Sequence, residues 1–132
     1  YCRLVAEFPL NLLFNAYFEI IILKKQGDSG IGTIHFGLWA KKENASYQYW
    51  NNGIIIGTSF GIVGGFPAFG GGDTVGCGVN MTSKEMFFTK NGIQLNTTKI
   101  DVSETELVPF VGLLTPGDII QANFGPNFVY NL

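Results

Sequence analysis

Phe66-Pro67-Ala68-Phe69-Gly70-Gly71-Gly72-Asp73-Thr74-Val75-Gly76-Cys77-Gly78-Val79-Asn80, followed further on by Thr89-Lys90-Asn91-Gly92-Ile93, is the stretch on which the fold turns. A glycine-punctuated approach leads into one apolar strand and then a second, which ends in Asn-Gly. That dipeptide between apolar runs predicts a two-residue type I′ turn, because both central positions need positive φ and Asn and Gly tolerate it. On strand 73–80, Val75, Cys77 and Val79 share one face and Gly76 and Gly78 the other, where the absent side chains leave room for a backbone or a bulky ring to approach closely.

Outward from this hairpin, runs rich in β-branched and aromatic residues recur with Gly, Asn or Pro between them, the spacing of an all-β sandwich. The expected strands are 16–24, 33–39, 46–50, 53–57, 73–80, 84–90, 93–96, 107–113, 118–124 and 127–131. Strand 16–24 is apolar on nearly both faces, so its outer side needs a cover, expected from a neighbouring loop or the N-terminal segment. Val5 to Asn15 comes nearest to a helix, but Pro9 and the Asn residues predict a loop with a short turn. The Gly-rich stretch 57–72 exceeds a tight turn and predicts an ordered functional loop.

The 132 residues amount to one domain able to bury a substantial core. Charged residues make up only 14% of the chain while 46% is hydrophobic and 14% aromatic, so neutral polar groups and exposed apolar patches must supply much of the surface. A net charge of −2, from eight basic and ten acidic residues scattered along the chain, offers no field for phosphates, and nucleic acid is not the expected partner. No apolar run is long enough for a membrane-spanning helix. Cys2 and Cys77 could form one disulfide or remain as buried thiols. Asn44-Ala45-Ser46, Asn80-Met81-Thr82 and Asn96-Thr97-Thr98 are glycosylation sequons that would matter only in a secretory pathway.

Catalytic chemistry finds little support. His35, the one histidine, lies in the alternating segment Thr33-Ile34-His35-Phe36-Gly37-Leu38 and reads as a half-buried strand residue. The carboxylates are spread too singly for a metal site. Gly70-Gly71-Gly72 lacks a following Lys-Ser/Thr and leads into a strand, so it reads as a turn, not a phosphate loop. No catalytic residue, cofactor or metal is expected. Aromatic and turn residues offer a binding surface instead: Tyr47, Tyr49, Trp50, Asn51 and Asn52, then Phe66 and Pro67, then Thr115 and Pro116. Alternation sends Tyr47 and Tyr49 to one face and Trp50 to the other. Large amphipathic rings at a sandwich mouth are common interface anchors, and these loops would form a shallow, mostly neutral face if they gather at one end.

The motifs also resemble those of a known family. Ala16-Tyr17-Phe18-Glu19-Ile20, Ile34-His35-Phe36-Gly37-Leu38, Ser46-Tyr47-Gln48-Tyr49 with Asn51-Asn52-Gly53, the central Gly-Asp-to-Asn-Gly run, Leu107-Val108-Pro109-Phe110-Val111-Gly112-Leu113 and Ala122-Asn123-Phe124-Gly125 follow in the order found in SPRY domains. The resemblance spans nearly the whole chain and is similar above all to SPRY domains of the Ran-binding-protein-M type. The ending Ala122-Asn123-Phe124-Gly125-Pro126-Asn127-Phe128 and the lead-in Val5-Ala6-Glu7-Phe8-Pro9 are similar to secreted SPRY proteins of plant-parasitic nematodes, effectors that act in host cells.

The resemblance implies a bent two-sheet antiparallel β-sandwich, the SPRY or concanavalin-like jelly roll, with a lead-in segment at 1–15 and the domain at 16–132. It implies a non-enzymatic protein-binding module whose loops at one end capture another protein: a host immune receptor or ubiquitin-pathway component for an effector, a substrate for a cytosolic scaffold or ubiquitin-ligase complex. Localisation follows the setting, secreted and acting in host cells or cytoplasmic. Tyr47 matches a peptide-contacting tyrosine of SOCS-box-type SPRY domains, Thr115 stands where those domains carry a ligand-stacking tryptophan, and His35 replaces a common glycine. The resemblance thus implies a different ligand from their short Asn-rich peptide.

Overall fold

The computed structural model describes the backbone of residues 4–7 and, in full, residues 16–27, 30–80, 82–97, 99–102 and 107–131. Among the described residues twelve strands are formed: β1 (Leu4–Glu7), β2 (Ala16–Lys24), β3 (Ile34–Ala40), β4 (Ala45–Trp50), β5 (Ile55–Gly57), β6 (Gly61–Val63), β7 (Thr74–Asn80), β8 (Glu85–Lys90), β9 (Ile93–Gln94), β10 (Ile100–Asp101), β11 (Leu107–Leu113) and β12 (Ile119–Asn123). One sheet has the order β1-β11-β3-β4-β5-β6 and the other β10-β8-β7-β2-β12, with β9 paired to β8. All pairings are antiparallel.

The two sheets enclose one core because alternate residues of their strands are apolar: Phe18, Ile20 and Ile22 on β2, Ile34, Phe36 and Leu38 on β3, and Val75, Cys77 and Val79 on β7 are buried together. Phe36 meets Phe18, Tyr49, Phe69 and Phe88 in edge-on or tilted contacts at 5.7–6.2 Å, joining the sheets through one aromatic cluster. Asn91 and Gly92 have φ of 49° and 83°, as the Asn-Gly hairpin requires. Cys77 is a free, fully buried thiol whose pKa burial pushes well up, which leaves it unreactive; Cys2 lies outside the described residues.

Three expectations are corrected. Residues 127–131 form no strand. The stretch 57–72 contains strand β6, which folds back on β5 with Ile62 opposite Ile56. Residues 4–7 are extended because they add to the edge of β11, although the sequence reads as loop there; most of the lead-in at 1–15 lies outside the described residues. The short β10 also escaped the sequence reading, being only Ile100–Asp101 against β8.

Over the outer face of β2 the expected cover was a neighbouring loop or the N-terminal segment, most of which lies outside the described residues. Among the described residues, its cover is the C-terminal segment. Glu19, buried at 1% exposure, accepts hydrogen bonds from the Val129 and Tyr130 amides at 3.0 Å each and from the Tyr17 hydroxyl at 2.8 Å. Phe128 and Tyr130 pack on the Tyr17 ring at 4.9 and 5.4 Å. Gly76 and Gly78 make this possible, since a Cβ at either would overlap Tyr17 atoms. A carboxylate on an otherwise apolar strand is stable there because backbone N–H groups satisfy it.

Candidate functional site

The loop face is assembled at the end of the sandwich where β3 begins and β4 and β11 finish. β4 leads into the turn Asn51-Asn52-Gly53, closed by Gly53 N–H to Trp50 O and Trp50 N–H to Ile54 O, with Gly53 at φ 87°. Asn51 has no exposed surface, and all its polar groups are used. Its Oδ1 accepts from the Thr33 and Ile34 amides at 2.7 and 2.9 Å, and its Nδ2 donates to Ile31 O at 3.0 Å. Its backbone N–H donates to Ile34 O and its carbonyl accepts from Phe69 N–H. One side chain therefore fixes the β2–β3 connection, while the backbone of the same residue holds the long loop 64–73.

That long loop is tied again at Phe66 N–H to Gly53 O and by the Tyr49 hydroxyl, which donates to Pro67 O. Burial raises the Tyr49 hydroxyl's pKa, so it stays a donor at all physiological pH values. The loop's far end is pinned by Asp73, which accepts from Gly70 N–H and from Asn91 Nδ2 at 2.8 and 2.9 Å. Burial disfavours the Asp73 charge, but the Asn91 amide, the Gly70 N–H and nearby Lys90 outweigh it and hold the carboxyl below its ordinary value. A depressed folded-state pKa contributes stability that is present above the unfolded value, near ~3.9, and is lost as pH falls through the folded value. Asp73→Asn is therefore expected to weaken the acid dependence of melting below about pH 4, read by thermal melts from pH 2.5 to 7; an unchanged acid limb would remove Asp73 from this account.

The third loop is a Thr115-Pro116-Gly117-Asp118 turn closed by Asp118 N–H to Thr115 O, with Gly117 at φ 93°, the pattern of a type II turn with Pro first and Gly second at its centre. Leu114 N–H to Thr33 O, and Gln26 N–H to Asp118 Oδ1 at 2.6 Å, attach it to the β2–β3 connection.

The nine sequence-derived candidates divide by burial. Tyr47 and Tyr49 face the core at 5% and 0% exposure, with Phe60 lying over Tyr47, and Asn51 is interior. As placed, these three support the face rather than line its surface. Trp50 is half-buried on the outer side of its sheet, as alternation requires. It stacks on His35 at 4.1 Å and donates from Nε1 to Gln48 Oε1 at 3.0 Å. His35 is buried, not half-buried, and Gly112 leaves the space its ring occupies. Asn52, Phe66 and Thr115 are half-buried, and Pro67 and Pro116 are exposed, on loops that the hydrogen bonds above bring together. Ile31, 58% exposed on the same rim, was missed by the sequence reading; an isoleucine between Gly30 and Gly32 was the available signal. The arrangement presents apolar and neutral polar groups on a hydrogen-bonded frame, which suits contact with a protein surface. Among the described residues, no group of three His, Cys, Asp or Glu is placed to hold a metal.

A sequence model of the SPRY domain matches residues 15–127. The chain is 38% identical over 124 residues to the dual specificity protein kinase splA of Dictyostelium discoideum, an alignment covering 86% of this chain but 5% of the kinase. It is 36% identical over 124 residues to human Ran-binding protein 9, covering 88% of this chain and 17% of that protein. The Drosophila melanogaster Ran-binding proteins 9/10 homolog is also 36% identical, over 122 residues, 83% of this chain and 12% of its own. The chain thus spans a small part of the curated relatives it matches. A crystal structure of a human SPRY domain superposes with a TM-score of 0.70 at 27% identity, over 96% of this chain and 86% of that one. The SPRY domain of human HERC1 shares the fold, at a TM-score of 0.62 and 18% identity over 81% of this chain and 72% of that one.

Proposed function

Since this chain belongs to the SPRY domain family, a family of protein-interaction modules, we propose that it is a non-enzymatic module that captures one partner protein on the loop face formed by residues 31–33, 50–53, 66–69 and 114–117. The observation that carries this reading is the frame built on buried Asn51. The loops are held before any partner arrives, so little ordering entropy is lost on binding, and Ile31, Pro67 and Pro116 stand exposed on them.

Two settings are open to such a module. In the first it is a secreted effector that binds a host protein, such as an immune receptor or ubiquitin-pathway component, to modulate host immunity. The tail Ala122-Asn123-Phe124-Gly125-Pro126-Asn127-Phe128 supports this through its likeness to nematode effectors. In the second it selects substrates within a cytoplasmic scaffold or ubiquitin-ligase complex, which the similarity to Ran-binding protein 9 favours.

The test is affinity capture from plant-cell and animal-cell extracts with the chain and with an Ile31→Glu/Pro67→Glu variant. Both changes lie on exposed positions, so the melting temperature is expected to stay within about 3 °C. A captured protein should bind the variant at least ~10-fold less tightly, because a charge would be buried without a partner. Undiminished binding by a folded variant would move the interface off this face. A variant-sensitive partner found only in plant extract supports the effector setting, and scaffold components from both extracts support the second.

A further inference from the structure

β6 ends the first sheet, and its three residues are all exposed, Ile62 at 71% and Val63 at 41%. An edge strand turns half of its N–H and C=O groups away from its one neighbour, and proteins commonly shield such edges with charge, proline or a covering segment. At the second sheet, the β10 edge follows this rule: Lys99 lies 3.8 Å from Glu85 and 3.7 Å from Asp101. The β6 edge is limited only by its three-residue length. No Asp, Glu, Lys, Arg or His occurs between Glu43 and Asp73, so the strand, both its turns and the two strands behind it are uncharged, and β6 itself contains no proline.

We propose that β6 pairs antiparallel with β6 of a second copy of this chain, joining the two first sheets across a two-fold axis. Isologous pairing brings each edge residue opposite the same segment in its partner, so any charge there would meet its own like. An uncharged edge meets that condition. With Ile62 facing Ile62 of the other copy, the cross-strand pair Ile56–Ile62 extends into a row of four isoleucines over the joined outer faces. Cβ atoms at Gly61 and Gly64 would meet nothing within 4 Å, so the approach to the edge is open. A three-residue ladder buries less than the ~1,000 Å² of a stable interface, so the pairing is weak and strongly concentration-dependent. It uses a sheet edge separate from the exposed loop residues assigned to partner capture.

The experiment is sedimentation equilibrium of the 132-residue chain from about 10 µM to 1 mM, a range suited to weak association, with Ile62→Lys and, separately, Gly64→Lys. The wild-type average mass is expected to climb from 14.4 kDa toward twice that value, while both variants remain monomeric with unchanged melting temperatures. In this register Ile62→Lys sets like charges opposite each other across the ladder, and Gly64→Lys sets an ammonium opposite Phe60 of the other copy with no counter-charge, so either should weaken association by at least ~10-fold. Gly64→Lys keeps the test decisive if Ile62→Lys fails to fold, since its side chain enters open space. A wild-type mass that stays monomeric at the highest concentration overturns the proposal, as does association that either folded variant leaves intact. A monomer that binds only a foreign extended peptide at β6 also overturns it.

Discussion

Glu19→Ala is expected to lower stability by about 3 kcal/mol, with a fall in melting temperature of roughly 10 °C for a domain of this size. The carboxylate is buried and accepts from Val129 N–H, Tyr130 N–H and the Tyr17 hydroxyl. Alanine leaves two backbone donors without their acceptor beneath an aromatic layer formed by Tyr17, Phe87, Phe128 and Tyr130, and opens a small cavity. The loss should be local before it is global. Hydrogen exchange at the Val129 and Tyr130 amides is expected to accelerate far more than at Phe18 or Phe88, because the tail has no strand pairing of its own. Glu19→Gln retains one acceptor oxygen but must turn an NH2 group toward a donor, so it should fall between the two. A melting shift under about 3 °C for Glu19→Ala would show that aromatic packing alone holds the tail.

Asn51→Ala should cost a similar amount, about 3 kcal/mol, by another route. It removes three side-chain hydrogen bonds at once and orphans the Thr33 and Ile34 amides and the Ile31 carbonyl. Those groups lie at the mouth of β3, so the expected result couples stability with recognition: the β2–β3 connection loosens, and capture by the loop face weakens beyond what the fraction of folded protein explains. Asn51→Asp is the informative companion. It keeps an acceptor for Thr33 and Ile34 but places a carboxylate oxygen against the Ile31 carbonyl, so it should cost nearly as much at neutral pH and recover part of the loss in acid, where the protonated carboxyl can donate. Thermal melts and amide exchange at Thr33 and Ile34 give the readout. If Asn51→Ala melts like the wild type and the loops keep their protection, the frame does not depend on this residue.

These two residues also mark what could be read from the chain and what could not. Period-two alternation correctly set Tyr47 and Tyr49 against Trp50, but alternation is symmetric: it separates two faces without saying which one meets the other sheet. Both tyrosines proved to face the core. Asn51 in Asn-Asn-Gly reads as an exposed turn residue, and the turn is there, yet the asparagine points inward because β3 begins beside it with amides that need an acceptor. Strand β6 was hidden inside a glycine-rich run, since two residues between glycines give no measurable period.

By itself the sequence determined the all-β class, most of the strands of both sheets, the Asn-Gly turn with its positive φ values, and the room left at Gly76 and Gly78 for a backbone or a ring to approach. Each of these is a local property, written in the alternation of side chains or in the few residues that tolerate a given backbone conformation. Only the tertiary structure decided what fills that space and what lies over β2, because Glu19 and Tyr130 are separated by 111 positions and meet only once the sheet exists. It also decided that one buried asparagine, together with the Tyr49 hydroxyl, holds the loops of the candidate face together. Such contacts depend on which strands become neighbours, and that order is set by the packing of the whole core.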